Sequence, residues 1–280
     1  MFVNKSILKN ITIIIVTYKS SDVIFKCLEK IRKFPNILIL DNSNDKVIFK
    51  KIKKKYKKIK FFLSKTNTGY AKGNNILLKK VKTPYALILN PDCFVSPIEI
   101  KKIFTFKTLL KENFLAIGHK SGANIRNKKK IGKFKYFICN YIKGYFMFIN
   151  MKAIKKINYF DENFFMYLEE IDLCKRANIN NFKIIALNNL RIYHLAGKSS
   201  NDRKEFSLIQ NWNWMWSQYY FYKKYNGLIK SLIKFIPKLV YLYLKKLLFF
   251  KNKIYQSRYS GLRHSMIGKS SKFKEFRKTS

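Results

Sequence analysis

Acidic side chains are in short supply: 15 Asp and Glu face 59 Lys and Arg, a formal net charge of +44 over 280 residues. A surface so basic attracts anions, whether nucleic acid, acidic lipid or phosphorylated ligands. Lys, Asn, Ile and Phe are all abundant, as in an AT-rich coding sequence, so most of the charge is assigned to that bias and a smaller share to function. Cysteine is sparse too. Cys27, Cys93, Cys139 and Cys174 stand far apart with no C-x-x-C, which speaks against a zinc site or disulfide framework and for reduced thiols in a cytosolic protein. No G-x-G-x-x-G follows the first apolar run, so the dinucleotide fingerprint of a dehydrogenase is missing. Long hydrophobic runs are absent. Ile11–Val16 is too short for a secretory core and lacks a small-residue cleavage site. In the C-terminal segment the longest charge-free stretch, Leu239–Leu244, is far too short to span a bilayer. No internal repeat is visible.

What is there is 48% hydrophobic, enough to bury a sizeable core in one large domain or a domain plus an appendage. The first hundred residues alternate. Strands are predicted at Ile11–Val16, Ile37–Leu40, Ile59–Leu63 and Tyr85–Leu89, with helices at Ser21–Lys33, Asp45–Tyr56 and Ala71–Val81 between them. That order implies an α/β fold with a parallel sheet between helices, whose ligands bind outside the carboxyl ends of the strands. The residues just after each strand are polar: Thr17-Tyr18-Lys19-Ser20, Asp41-Asn42-Ser43-Asn44, Asn67-Thr68-Gly69-Tyr70 leading to Gly73-Asn74-Asn75, and Asn90-Pro91-Asp92. Further on, Lys128–Lys130 reads as a solvated loop tip, while Gly144–Asn150, Phe182–Leu187 and Arg191–His194 read as strands. Arg203–Tyr225 is helical and rich in Trp and Tyr. Leu228–Phe250 reads as a basic amphipathic helix, with Lys230, Lys234 and Lys238 on one face. It either lies on an anionic membrane or packs on the main domain, and Pro237 would kink it. The domain boundary is placed at 225/226.

Five of the 15 acids (Asp161, Glu162, Glu169, Glu170 and Asp172) fall within twelve residues, beside four aromatic rings, in FDENFFMYLEEIDLCKR. Glu169, Glu170 and Asp172 would start a helix, where the macrodipole favours negative charge and a carboxylate stays ionised as a general base requires. They also serve simply to stabilise the helix end. Asp92, on a turn stiffened by Pro91, suits a hard divalent cation that takes its other ligands from phosphate and water, though Asn-Pro-Asp is equally an ordinary turn. Asp41 either caps a helix or accepts from a base or ribose. The paired glycines and asparagines of residues 67–75 suggest a backbone that approaches something closely.

In order, IIIVTYKS, ILDNSN, NTGYAKGNN, LILNPDCFV, FDENFFMYLEEIDLCKR and IYHLAGKSS resemble the inverting nucleotide-sugar glycosyltransferases of family 2, with the GT-A fold. The rhamnosyltransferase-like branch that builds bacterial surface polysaccharides is similar over about residues 10 to 225. The resemblance implies a nucleotide-sugar pocket lined by Thr17, Tyr18, Asp41, Asn67, Gly69, Gly73, Asn74 and Asn90. It implies Mg²⁺ or Mn²⁺ held by Asp92, at the end of the family's D-x-D motif, with His194 at a position that in some members also touches metal or diphosphate. Glu170 stands where the family usually has its catalytic Asp, and Glu169 is the reserve. Phe165, Tyr167 and Trp212 would contact the acceptor. Three departures stand out. The motif begins with Asn90, Glu170 is one methylene longer than Asp, and Asn158-Tyr159 replace the Gly-Gly that often precedes Phe-Asp-Glu.

The implied partners are a nucleoside-diphosphate sugar, with thymidine diphosphate-rhamnose as the likeness suggests, and a saccharide or lipid-linked acceptor. The implied location is cytoplasmic, at the inner face of the membrane, with peripheral contact to anionic lipid and no nucleic acid. Two rivals remain. Charge alone argues for a nucleic-acid binder, which leaves the acidic stretch unexplained, and the same fold serves a catalytically inactive scaffold.

Overall fold

The run ITIIIVT forms β1 (Ile11–Thr17), apolar on both sides and almost wholly buried, as a strand covered on both faces must be. A computed structural model of the chain describes residues 5–105, 110–131, 134–195 and 203–271. Beside β1 lie β2 (Ile37–Asp41), β3 (Lys60–Leu63) and β4 (Tyr85–Leu89), all parallel, in the order β3-β2-β1-β4. The chain steps outward from β1 through β2 to β3 and then returns to the far side of β1. The strand order therefore reverses between β1 and β4, and the crevice at their carboxyl ends is where such sheets take ligands.

Past β4 the sheet is mixed. It continues through β9 (Phe146–Asn150), β6 (Phe114–His119), β10 (Lys183–Leu187), β8 (Phe134–Ile142) and β7 (Ala123–Ile131). A separate two-stranded ribbon pairs β5 (Cys93–Val95) antiparallel with β11 (Ile192–His194). Lys128–Lys130, expected at a loop tip, lie instead inside β7 and pair with Lys135–Phe137 of β8. A run of three lysines has no apolar member to betray a strand; the apolar β8 beside it sets the ladder. The core joins Ile11, Ile13 and Ile15 of β1 to Leu87 and Leu89 of β4 and Phe146 and Phe148 of β9. All four cysteines are free and buried. Burial pushes the thiols of Cys27 and Cys174 up to about 12, so they are inert packing groups.

The chain divides into two compact units. One holds residues 1–68, 72–161 and 170–201, and the other residues 69–71, 162–169 and 202–280. The sequence reading put the boundary after Tyr225. The helix Lys253–Met266, inside the region 226–280 read as a basic helical appendage, packs back on the Trp-rich helix. Ser257 Oγ donates to Leu208 O at 2.6 Å, and Ser265 Oγ to Trp216 O at 2.9 Å. Gly261 sits so near the Trp212 carbonyl that a methyl there would come within 2.2 Å of its oxygen. Met215, Tyr219, Phe235, Leu242 and Leu262 form the core of this helical unit. Residues Arg203–Leu248 run as helix on both sides of Gly227, whose φ of 80° and ψ of 173° interrupt it.

Candidate active site

Thr17 and Asp41 end adjacent strands in register. The Thr17 hydroxyl donates to Asp41 Oδ1 at 2.9 Å, Ser43 Oγ donates to the same oxygen at 2.7 Å, and the Asp45 N–H donates to Oδ2 at 2.8 Å. Asp41 thus organises the edge of the crevice while Asp45 caps the helix Lys46–Lys55. Asn42 Oδ1 accepts from the Thr68 N–H and hydroxyl, tying the β2 and β3 loops together. Tyr18 and Asn67 are half-buried at the same edge, and Asn74 is fully buried. Gly73 packs on Val16 of β1, so its close approach is to the protein itself.

Asp92 follows β4. The ribbon fixes its surroundings: His194 pairs with Cys93, and the Leu195 N–H donates to Asp92 O at 3.1 Å. His194 Nε2 then lies 3.4 Å from Asp92 Oδ1. Asp92 is fully buried, yet among the described residues neither carboxylate oxygen has a hydrogen-bond partner. An ionised carboxylate buried without donor or cation is strongly disfavoured. Tyr145 stacks on the His194 ring at 4.4 Å, and its carbonyl accepts from the Asn90 N–H at 3.0 Å. This arrangement fits a divalent cation that takes one carboxylate and one imidazole from protein and the rest of its shell from phosphate and water. No cluster of three or more His, Cys, Asp or Glu side chains that could hold a metal ion occurs among the described residues. Residues Gly197–Ser200, which follow His194 in the sequence pattern, lie outside the described residues.

The acidic stretch is held at several points. Asn75 clamps the Phe160 backbone, donating to its carbonyl at 2.9 Å and accepting from its N–H at 3.0 Å. Arg176 donates to Asp172 Oδ2 at 2.8 Å and to the carbonyls of Ile157 and Tyr159. Asp172 is therefore a structural counterion. The helix Glu169–Ile179 begins with the two candidate bases. Glu169 is buried, whereas Glu170 keeps part of its surface. Desolvation pushes the Glu170 carboxyl above the ordinary carboxylate range, against its own backbone N–H, the nearby Lys143 charge and the Ile171 N–H. Lys143 and Tyr145 belong to the turn between β8 and β9. Lys143 faces Glu170 electrostatically, and Tyr145 stacks on His194.

Asn158 and Tyr159, which replace the expected Gly-Gly, both sit at φ 58°. Left-handed backbone costs a non-glycine residue about 1–2 kcal/mol. Tyr159→Gly keeps the backbone bonds to Ile154 and Arg176, so the variant is expected to be more stable by about 1 kcal/mol, a rise of roughly 2–4 °C in Tm. An unchanged or lower Tm by calorimetry would show that the turn is not strained.

In the helical unit, Gly69 has φ 76°, and a methyl there would fall 2.3 Å from the Phe165 carbonyl oxygen, which accepts from the Tyr70 N–H at 2.8 Å. The close approach thus pins one loop to another. Tyr167 meets Trp214 edge to face at 5.6 Å. Trp212, expected to contact an acceptor, is instead buried against the Lys253–Met266 helix, with its ring N–H donating to Ser260 Oγ at 3.3 Å. Trp214, 39% exposed, is the tryptophan turned outward. Sequence reasoning named Asn75 but not its contact to Phe160, and it did not single out Tyr145 or Lys143, whose contacts to His194 and Glu170 also join distant parts of the chain.

A model of glycosyl transferase family 2 matches residues 12–172, more than half of the chain. The low-salt glycan biosynthesis hexosyltransferase Agl10 of Haloferax volcanii is 26% identical over 204 residues, 65% of this chain and 66% of that protein. The rhamnosyltransferase WbbL of Escherichia coli is 26% identical over 231 residues, 69% of this chain and 85% of that protein. Among solved structures, the mannosyltransferase PcManGT of Pyrobaculum calidifontis, in complex with GDP-Man and Mn²⁺, superposes with a TM-score of 0.56 at 9% identity. It covers 92% of this chain and 85% of that one, and shows the shared fold.

Proposed function

The chain belongs to glycosyl transferase family 2, and from that premise we propose that it moves a sugar, with inversion, from a nucleoside diphosphate to a saccharide or lipid-linked saccharide during glycan assembly. The observation that carries this reading is Asp92, a fully buried carboxylate at the crevice where the strand order reverses, whose Oδ1 lies 3.4 Å from His194 Nε2 and whose oxygens have no hydrogen-bond partner among the described residues. Asp92, with His194 beside it, would hold a Mg²⁺ or Mn²⁺. Bound there, the cation neutralises charge on the departing diphosphate.

The chain's own residues do the rest. Thr17, Asp41 and the Asn42–Thr68 contact shape the nucleoside edge, with Tyr18, Asn67, Asn74 and Asn90 supplying polar groups there. Glu170 accepts the proton of the acceptor hydroxyl as that oxygen attacks the anomeric carbon from the face opposite the diphosphate. Its raised proton affinity makes it a better base near neutral pH than an ordinary carboxylate. Glu170 takes this role over Glu169 because it retains exposed surface. Within the helical unit, Tyr167 and Trp214 meet edge to face, ring surfaces of the kind that suit a sugar.

A panel of uridine, guanosine and thymidine diphosphate sugars is the direct test, read by thermal shift with and without Mn²⁺. One donor class is expected to raise Tm only when metal is present. Product from that donor should carry the opposite anomeric configuration by NMR. Retained configuration would overturn the single displacement, and no stabilisation by any donor would overturn the transferase site.

A further inference from the structure

The helix after Gly227 carries two apolar faces. Phe235 and Leu242, with Ser231, turn into the helical unit's core. On the opposite side, Ile229, Ile233, Ile236, Val240, Leu244 and Leu247 recur every three or four residues, which places them on one stripe of a helix. That stripe is uncovered: Ile229 is 75% and Ile233 71% exposed, and the other four are exposed as well. It runs about 27 Å at 1.5 Å per residue. Soluble surfaces rarely leave so continuous an apolar strip open.

Its surroundings select the occupant. Lys230 and Lys234 flank the stripe, and Lys251 and Lys253 follow its end, all exposed. No Asp or Glu occurs between Glu205 and Glu275. A second copy would bring like charge against like, so the partner must be both apolar and anionic. Tyr241, Tyr243, Phe249 and Phe250 are also exposed around the stripe. Aromatic rings beside lysines are the composition that settles at a lipid–water boundary, where long amine stems reach back to the headgroups. No described helix is long and apolar enough to cross a membrane.

We propose that this face of the helix docks in the plane of an anionic lipid bilayer, the Ile/Val/Leu stripe entering the acyl boundary and the lysines pairing with headgroup phosphates. One side of the helix packs into the helical unit's core, and the other is left for the lipid. The proposal is independent of the transferase reading.

Co-sedimentation of the full chain with vesicles tests it. Phosphatidylcholine vesicles containing phosphatidylglycerol are expected to pellet the protein, phosphatidylcholine alone is not, and added salt should release it. Ile229→Gln, Ile233→Gln and Val240→Gln combined should weaken binding at least about tenfold with an unchanged circular dichroism spectrum, since all three are exposed. Should that variant fold poorly, combined Lys230→Gln, Lys251→Gln and Lys253→Gln should weaken binding to the anionic vesicles. Equal binding to both vesicle types, no binding to either, or parental binding by a folded variant would overturn the proposal. So would a dimer in sedimentation velocity that the apolar variant abolishes, because the stripe would then belong to a second copy.

Discussion

Glu170→Gln is expected to lower turnover by about 10²–10⁴, leave donor affinity nearly intact, and melt at a higher temperature than the parent. The higher melting temperature and the pH dependence of turnover share one cause. Desolvation raises the Glu170 carboxyl above its ordinary value, and Lys143 and two backbone N–H groups do not fully compensate. Above the raised folded value the group is ionised in both folded and unfolded chains, and the fold bears the desolvation penalty in full. As pH falls through the folded value toward the unfolded value near ~4.3, the folded protein takes up the proton first and the penalty disappears. Glutamine removes the penalty at neutral pH because it is never charged. The same shift sets the rate: the acid limb of the kcat profile should lie above the ordinary carboxylate range, since protonated Glu170 cannot accept from the acceptor. Calorimetry and a kcat–pH series on parent and variant measure both effects. A variant with parental turnover would remove Glu170 from the base role. One that melts lower would show that the carboxylate is stabilised in place.

The half of the fold that positions the donor edge was legible because buried parallel strands are apolar throughout. Tyr85–Leu89 is found where it was predicted, and β1 and β2 each gain one polar residue, Thr17 and Asp41, at the carboxyl end. Those added residues belong to the site, and being polar they do not look like strand. What could not be read joins distant parts of the chain. Asn75 holds Phe160 across 85 residues, and no local pattern announces a side chain that satisfies another residue's backbone. Tyr145 looks like one more apolar strand residue in GYFMFIN until the ribbon brings His194 against its ring. In WNWMW, Trp212 and Trp216 stand four apart on one face of a helix and Trp214 on another. Which face turns inward is decided by the later Lys253–Met266 helix: Trp212 and Trp216 are buried and Trp214 is left outside. The departure at Asn158-Tyr159 was visible, but only the backbone shows that both residues adopt left-handed geometry.

Asp92→Asn preserves shape and removes charge, so it separates a cation site from a packing residue. Without metal the parent holds a buried carboxylate that no described hydrogen bond satisfies. Leaving even a neutral polar group so costs about 1–3 kcal/mol, and a charged one costs more. The asparagine variant is therefore expected to melt above the metal-free parent. Addition of Mn²⁺ with the nucleoside diphosphate should reverse the order, since the parent gains the ligand's binding free energy and the variant does not. Turnover should fall by about 10²–10³, the range seen when one electrostatic stabiliser of a developing negative charge is lost. His194→Gln separates the neighbours: it leaves the carboxylate in place, so part of the Mn²⁺-dependent stabilisation should survive. If Asp92→Asn keeps the full Mn²⁺-dependent shift, the cation binds elsewhere. If it melts below the metal-free parent, Asp92 is held by contacts that do not involve a cation, and the buried carboxylate has a structural explanation.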